Sequence, residues 1–276
     1  MTNLKPEIAK SIKTGDFNTN YHDVGEGFPL LLAHGSGPGV SAWANWRLVM
    51  PTLSQQRRVL APDFVGFGYT DRPEGLALRM KTWVKQLVDF MDALGLEQVD
   101  IVGNSFGGGL AINMAIDYPE RIRKIVLMGS MGVDFPITKG LDDVWGYTPS
   151  VENMKHMIGT FVYDSARATD DLAKMRYEAS IEPGFQESFS SMFPAPRQQW
   201  VESMARKDEE IKGIQKPTLI VHGREDQVIP VENSYRLINL IDNAQLHIFG
   251  HCGHWTQIEH AAEFAQIVNV FLNEAK

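Results

Sequence analysis

Apolar and polar positions alternate in blocks along this chain. Short apolar runs closed by turn residues read as buried strands at 29–33, 58–63, 99–103, 124–128, 217–222 and 244–249. Between them lie stretches of helical period. Trp83, Leu87, Phe90, Met91 and Leu94 make one stripe of a helix over 82–94. Further helices are expected near 43–53, at 106–118 (stopped by Pro119), near 231–241 and at 260–271. Strand and helix blocks in alternation predict an α/β protein, with a mostly parallel sheet covered by helices on both faces.

The rhythm breaks between about Phe135 and Lys212. That stretch is rich in Met, aromatic and charged residues, carries several prolines and has no buried-strand pattern. It predicts a mainly helical insertion, a lid of 135–212, within a core domain made of 1–134 and 213–276. Insertions over the end of such a sheet often close on a ligand.

A length of 276 residues suits one large core near the upper limit for a single domain. The formal charge of −8 disfavours nucleic acid as a partner, because phosphate binding needs clustered cations. Cys252 is the single cysteine, so no disulfide forms within the chain, which fits a cytoplasmic setting. No run of 18 apolar residues suggests a membrane span, and residues 1–13 lack the apolar core of a signal peptide.

The chemistry concentrates at strand ends. Gly103-Asn-Ser-Phe-Gly107 matches G-x-S-x-G, which places Ser105 on a sharp turn between a strand and a helix. Flanking glycines are needed because side chains there would collide, and the helix N-terminus favours developing negative charge. The bare pattern is a weak signal; the apolar strand before it and the helix after it strengthen it. The alternative is an ordinary turn with an N-capping Ser.

A Ser hydroxyl needs an imidazole to take its proton and a carboxylate to hold that imidazole. Asp226 follows the strand at 217–222 and His254 follows the strand at 244–249, both at the edge where Ser105 emerges. Glu225 and His251 are the rivals for these two roles. His34, His222 and His247 read as structural histidines. The loop His34-Gly-Ser-Gly-Pro-Gly39 is placed to give one oxyanion N–H from Ser36, with Phe106 giving the other. It lacks both the G-x-G-x-x-G spacing and the Lys-Ser/Thr of nucleotide loops. His251, Cys252, His254 and His260 show no metal-ligand spacing such as H-E-x-x-H, so no metal is expected.

These motifs resemble the α/β-hydrolase superfamily and, within it, the meta-cleavage-product hydrolases of aromatic degradation. The resemblance covers almost the whole chain. It rests on His34-Gly-Ser-Gly-Pro-Gly39 with Trp43-Ala-Asn45-Trp, on Gly103-Asn-Ser-Phe-Gly-Gly108 and on Val144-Trp-Gly-Tyr-Thr-Pro149. It continues in Met192-Phe-Pro-Ala-Pro-Arg197, His222-Gly-Arg-Glu-Asp-Gln227 and Cys252-Gly-His-Trp-Thr-Gln257. The elbow alone indicates only the superfamily; the other motifs are more specific.

The resemblance implies the α/β-hydrolase fold and a triad of Ser105, His254 and Asp226. The implied reaction is hydrolysis of a carbon–carbon bond in an anionic 2-hydroxy-6-oxo-2,4-dienoate, with no cofactor. It implies Arg197 as the cation for the substrate carboxylate, with Gly37, Asn45, Asn104 and Trp255 as further substrate contacts. A homo-oligomer, at least a dimer, is also implied. Composition alone would read Arg197 as a surface charge. Two rival functions remain at this level: a general carboxylesterase on the same fold, and a ligand-binding receptor that keeps the triad without turnover.

Overall fold

A computed structural model describes residues 5–274. The outermost ends of the core expected at 1–134 and 213–276, and the start of the segment read for a signal peptide, lie outside the described residues. Eight strands form one sheet: β1 (Lys10–Thr14), β2 (Phe17–Val24), β3 (Pro29–Ala33), β4 (Arg58–Pro62), β5 (Val99–Asn104), β6 (Ile122–Met128), β7 (Thr218–Gly223) and β8 (Ala244–Phe249). Their order is β1-β2-β4-β3-β5-β6-β7-β8. β2 pairs antiparallel with β1 and β4, and every other pairing is parallel. The expected mostly parallel sheet is therefore observed.

The centre of the sheet is buried on both faces, and residue alternation sorts the core into two halves. Leu31, Ala33, Ile101, Ile125 and Leu127 point to one side; Leu30, Leu32, Val102, Val126 and Met128 point to the other. Such strands read as continuous apolar runs, which is why they were visible in the sequence. Helices α1 (Ala42–Trp46) and α2 (Met50–Leu53) replace the single helix expected near 43–53; Pro51 starts the second. With the C-terminal helix they cover the second face through Trp46, Leu53, Phe264 and Val268. Helices α3 (Met80–Ala93) and α4 (Phe106–Asp117) cover the first face through Trp83, Leu87, Phe90 and Leu110.

The hairpin β1–β2 has no apolar run, and no strand is expected before Pro29 from the sequence. Apart from Tyr21, which packs on Phe90, its buried positions are polar. Thr14 and Thr19 hydroxyls lie 2.7 Å apart, Gln86 donates to Thr19, and Asn20 donates to Asp63 at 2.8 Å. Tertiary hydrogen bonds carry this burial, and they leave no hydrophobic period.

Between β6 and β7 the chain forms α5 (Lys139–Trp145), α6 (Val151–Phe161), α7 (Asp170–Ser180), α8 (Phe185–Met192), α9 (Gln198–Met204) and α10 (Asp208–Lys212), with no strand. Thr138, Ser150 and Thr169 cap the first three of these helices by accepting N–H groups three residues on. After β7 come α11 (Glu232–Leu240), then β8, α12 (Thr256–Glu259) and α13 (Ala261–Asn273). No helix among the described residues is long and apolar enough to cross a membrane.

Candidate active site

Ser105 stands between β5 and α4 with φ 54° and ψ −114°, a left-handed conformation that non-glycine residues rarely adopt. The neighbouring sheet holds it there. Its N–H donates to Met128 O at 2.8 Å, and its carbonyl accepts from Gly108, Gly109 and Met131. A Cβ on Gly103 would collide with the Gly107 carbonyl, and one on Gly107 with the carbonyl of Ala33. The elbow glycines are therefore dictated by close backbone approach, as the motif implied.

His254 lies in the loop after β8 and is buried. Its Nδ1 is 2.7 Å from Asp226 Oδ2. Asp226 follows β7, and its Oδ1 accepts the N–H groups of Val228 and Ile229 at 2.7 and 2.9 Å. Burial alone would push this carboxyl up. The His254 and His222 rings outweigh burial and hold it well below the usual carboxylate range. Asp226 is therefore an anion, and the His254 Nδ1 facing it carries the proton, which leaves Nε2 as the basic nitrogen.

Ser105 and His254 meet at one corner. The residue after Met128 is Gly129, and a Cβ there would stand 3.2 Å from Asp226 Oδ2 and 3.3 Å from His254 Nδ1. No hydrogen bond joins Ser105 to His254 among the described residues. Such bonds commonly tighten only when substrate is bound.

The rivals separate cleanly. Glu225 turns away from this corner, pairing with Arg224 and accepting the Cys252 N–H at 3.0 Å. His251 is exposed, with φ 53°, beside Tyr163. His260 stacks on Phe249. Cys252 is buried, and burial pushes its thiol up to about 12. The nearby His and Cys residues are thus spent on separate contacts.

The loop after β3 faces the elbow. Ser105 Cβ lies 3.5 Å from where a Cβ on Gly35 would stand. Neither the Ser36 nor the Phe106 N–H donates to a backbone carbonyl among the described residues. Both are thus available to an oxyanion. Trp145 Nε1 donates to Ser36 Oγ at 3.0 Å, and Arg176 donates to Gly39 O at 3.0 Å, so α5 and α7 brace this loop from above.

A cavity opens against these groups. Ser36, Gly37, Asn45, Asn104, His254 and Trp255 all line it, together with Met154, Met157, Phe161 and Arg176 from the helices between β6 and β7. The two amides are oriented by a chain of donors. Gly35 N–H and Asn104 Nδ2 both donate to Asn45 Oδ1, at 3.0 Å each. That leaves Asn45 Nδ2, a donor, and Asn104 Oδ1, an acceptor, buried without partners. Two unsatisfied polar atoms in one cavity wall call for a polar ligand.

Arg197 is not brought here, which corrects the placement expected from the sequence. The Pro194–Pro196 turn sets it at the start of α9, where it pairs with Asp142 at 3.2 Å and packs on Gly146. It lines a separate depression with Lys139, Asp143 and His156. The cation in the cavity is Arg176. Desolvation, helped by the Arg47 cation, lowers its pKa to about 10, so it remains charged at neutral pH. It has no carboxylate partner within ion-pair distance among the described residues. Sequence reasoning missed it because α7 carries charge at Asp170, Asp171, Lys174, Arg176 and Glu178, and reads as a solvated helix. Only tertiary packing distinguishes Arg176 from Lys174.

The fold and this constellation are those of an α/β-hydrolase. A family model described as the alpha/beta hydrolase fold matches residues 29–261. A 2-hydroxymuconate semialdehyde hydrolase of Pseudomonas sp. strain CF600 is 56% identical over 270 residues, covering 98% of this chain and 95% of that one. A 2-hydroxy-6-oxo-2,4-heptadienoate hydrolase of Pseudomonas putida strain F1 is 56% identical over 272 residues, 99% of each chain. Among solved structures, a variant of the meta-cleavage product hydrolase CumD from Pseudomonas fluorescens IP01, complexed with acetates, superposes with a TM-score of 0.98. That protein is 58% identical, and the match covers 99% of this chain and 100% of the other. The chain belongs to the meta-cleavage product hydrolase family.

Proposed function

We propose that the chain hydrolyses the C5–C6 bond of 2-hydroxy-6-oxo-2,4-dienoates, giving 2-hydroxypenta-2,4-dienoate and a carboxylic acid. The observation that carries this reading is Arg176. A desolvated, unpaired cation shares a cavity with His254, Asn45 and Asn104, beside Ser105. An esterase acting on neutral substrates has no use for such a cation, whereas a substrate carboxylate neutralises it in a bidentate pair. The two relatives named for dienoate substrates support the same class.

Carbon is a poor leaving group. The dienol must first become its keto tautomer, so that C5 departs as a stabilised dienolate. Asn104 Oδ1 is oriented to accept from the 2-hydroxyl, and Asn45 Nδ2 to donate to the carboxylate or the 2-oxygen. Ser105 then attacks the C6 carbonyl while His254 Nε2 takes its proton and Asp226 holds the imidazolium. The oxyanion falls to the N–H groups of Ser36 and Phe106. The C5–C6 bond, whose C5 gained its proton in the keto step, then breaks. Its electrons pass to the 2-oxygen of the dienolate, which takes the proton held by the His254 imidazolium directly or through solvent. Water activated by the neutral His254 then releases the acid from Ser105.

Residues 135–212 act in this proposal as the cap that closes the cavity, with the remainder of the chain as the core. Arg176, Trp145 and Phe161 are its working side chains. Trp255 forms an apolar wall beside the diene, and Gly37 lets it approach the oxyanion loop. We infer a homo-oligomer from the family resemblance, which sedimentation velocity tests, and a cytoplasmic location, which fractionation tests.

The test is the bleaching of yellow dienoates bearing hydrogen, methyl, isopropyl or phenyl at C6. Rapid loss of colour that depends on Ser105 establishes the reaction, and the ranking of rates names the substituent. Cleavage of aryl esters with no bleaching would establish the esterase instead.

A further inference from the structure

His222 reads in sequence as a structural histidine, and its side chain is indeed fully buried at the end of β7. What satisfies it is unexpected. Its Nδ1 lies 2.6 Å from Ser234 Oγ on α11. Its Nε2 lies 3.0 Å from Ile229 O and 3.2 Å from Asp226 Oδ2. A carbonyl and a carboxylate can only accept, so Nε2 carries the proton, and Nδ1 accepts from the Ser234 hydroxyl. Ser234, His222, Asp226 and His254 thus form one line of polar contacts leading to the base, in which the His222 Nε2–H donates to Ile229 O and lies beside Asp226 Oδ2.

We propose that His222 is a positioning residue that both fixes the Asp226 carboxylate and sets how much of its charge reaches His254. This rests on the triad reading above. Asp226 Oδ2 accepts from His254 and has the His222 Nε2–H beside it at 3.2 Å, while Oδ1 is filled by two backbone N–H groups. Three donors and the adjacent His222 N–H hold the carboxylate in one orientation. The charge that His222 draws from Oδ2 is charge withheld from the His254 imidazolium. The titratable groups that face Asp226 are His254 from the loop after β8, His222 from β7, and the Cys252 thiol, which burial keeps neutral. A general base serves best with a pKa near the working pH, so this sharing matters for rate.

The experiment compares wild type, His222→Gln and His222→Phe in kcat/KM against pH, with thermal melts on each. Phe removes the donor, and the acid limb should move to higher pH by about half a unit, with kcat falling about tenfold and KM little changed. Gln restores an N–H toward Asp226 and should return the limb to its wild-type position. A folded His222→Phe with a wild-type acid limb would overturn the inference, as would a Gln variant shifted as far as Phe. Should Phe not fold, the 15N spectrum of wild type decides: His222 must be the Nε2–H tautomer, and an Nδ1–H tautomer refutes the inference. His254→Ala keeps the two readings apart. If it stays active, the triad is wrong; if it is dead while His222→Phe titrates normally, only this inference fails.

Discussion

Phe161 and Trp255 are joined twice. The Trp255 N–H donates to the Phe161 carbonyl at 3.1 Å, and their rings stack with centroids 4.8 Å apart. The same phenyl ring lies over His254 at 5.7 Å. Glu259 adds a clasp, accepting the N–H groups of Tyr163 at 2.9 Å and Gly253 at 2.7 Å. The C-terminal end of α6 is therefore fastened to the loop that carries His254.

Phe161→Ala should loosen that loop. Removing a buried phenyl costs about 3 kcal/mol or more of stability. It also frees the His254 ring, so kcat should fall along with the urea midpoint. Full activity in a destabilised variant would show that the stacking serves packing alone.

The two arginines give opposite expectations. Arg176→Ala should lower kcat/KM for a dienoate at least thirtyfold, about 2 kcal/mol, and leave neutral aryl esters nearly untouched. Arg197→Ala should change dienoate turnover by about twofold or less, because a partly exposed ion pair contributes little. Steady-state kinetics on both substrate classes decides the matter, and a dienoate loss confined to Arg197→Ala would return the carboxylate to the position expected from sequence.

Two buried groups should act against each other as the pH falls. His34 donates from Nδ1 to Gly35 O and accepts the Phe64 N–H at Nε2, and burial pushes it down to about 4. The unfolded chain takes up its proton first, so stability is lost as pH falls from 6.5 through 4. Asp63 is also buried, and burial lifts it to about 6 despite N–H donors from Ala42 and Tyr69. There the folded state takes the proton first, so stability is gained as pH falls from 6 toward 3.8. Each amounts to about 3 kcal/mol, with opposite signs. Asp226, held low, matters only below the ordinary carboxylate range. Wild-type urea midpoints should thus be nearly level from pH 6.5 to 4, whereas His34→Gln should grow more stable on acidification. A steep wild-type decline would contradict the opposition.

Gly107→Ala should not give a working enzyme. The added methyl group meets the Ala33 carbonyl inside the sheet edge, and relief requires shifting either β3 or the elbow. A loss of more than about 3 kcal/mol, or an insoluble product, is expected in chemical melts. Wild-type stability would mean the elbow is looser than its geometry indicates.

What was legible in the sequence follows from what each residue depends on. Strands buried on both faces are runs of Val, Ile and Leu, so β3 to β7 could be read directly, whereas β8 is an edge strand that is only partly buried. The elbow was legible because Gly103 and Gly107 answer to local backbone clashes. The hairpin of β1 and β2 was not, since Thr19 and Asn20 are buried by partners far along the chain. Arg176 was hidden for a related reason: its helix is polar everywhere, and only the meeting of α7 with the loop at Gly39 turns one charge inward. Family motifs placed a cation on the lid but attached it to Arg197, whose turn faces Asp142.

β6 and β7 pair in unbroken register from Ile125 opposite Thr218 to Met128 opposite Val221, although six helices separate them along the chain. The ladder is made of backbone bonds, yet the helices strung between its two strands reach back to the chemistry at three points: Trp145 on Ser36, Arg176 on Gly39 and Phe161 against His254. A foreign lid grafted between these strands would therefore have to bring those three contacts with it: the diet is exchangeable only if the cutlery comes along.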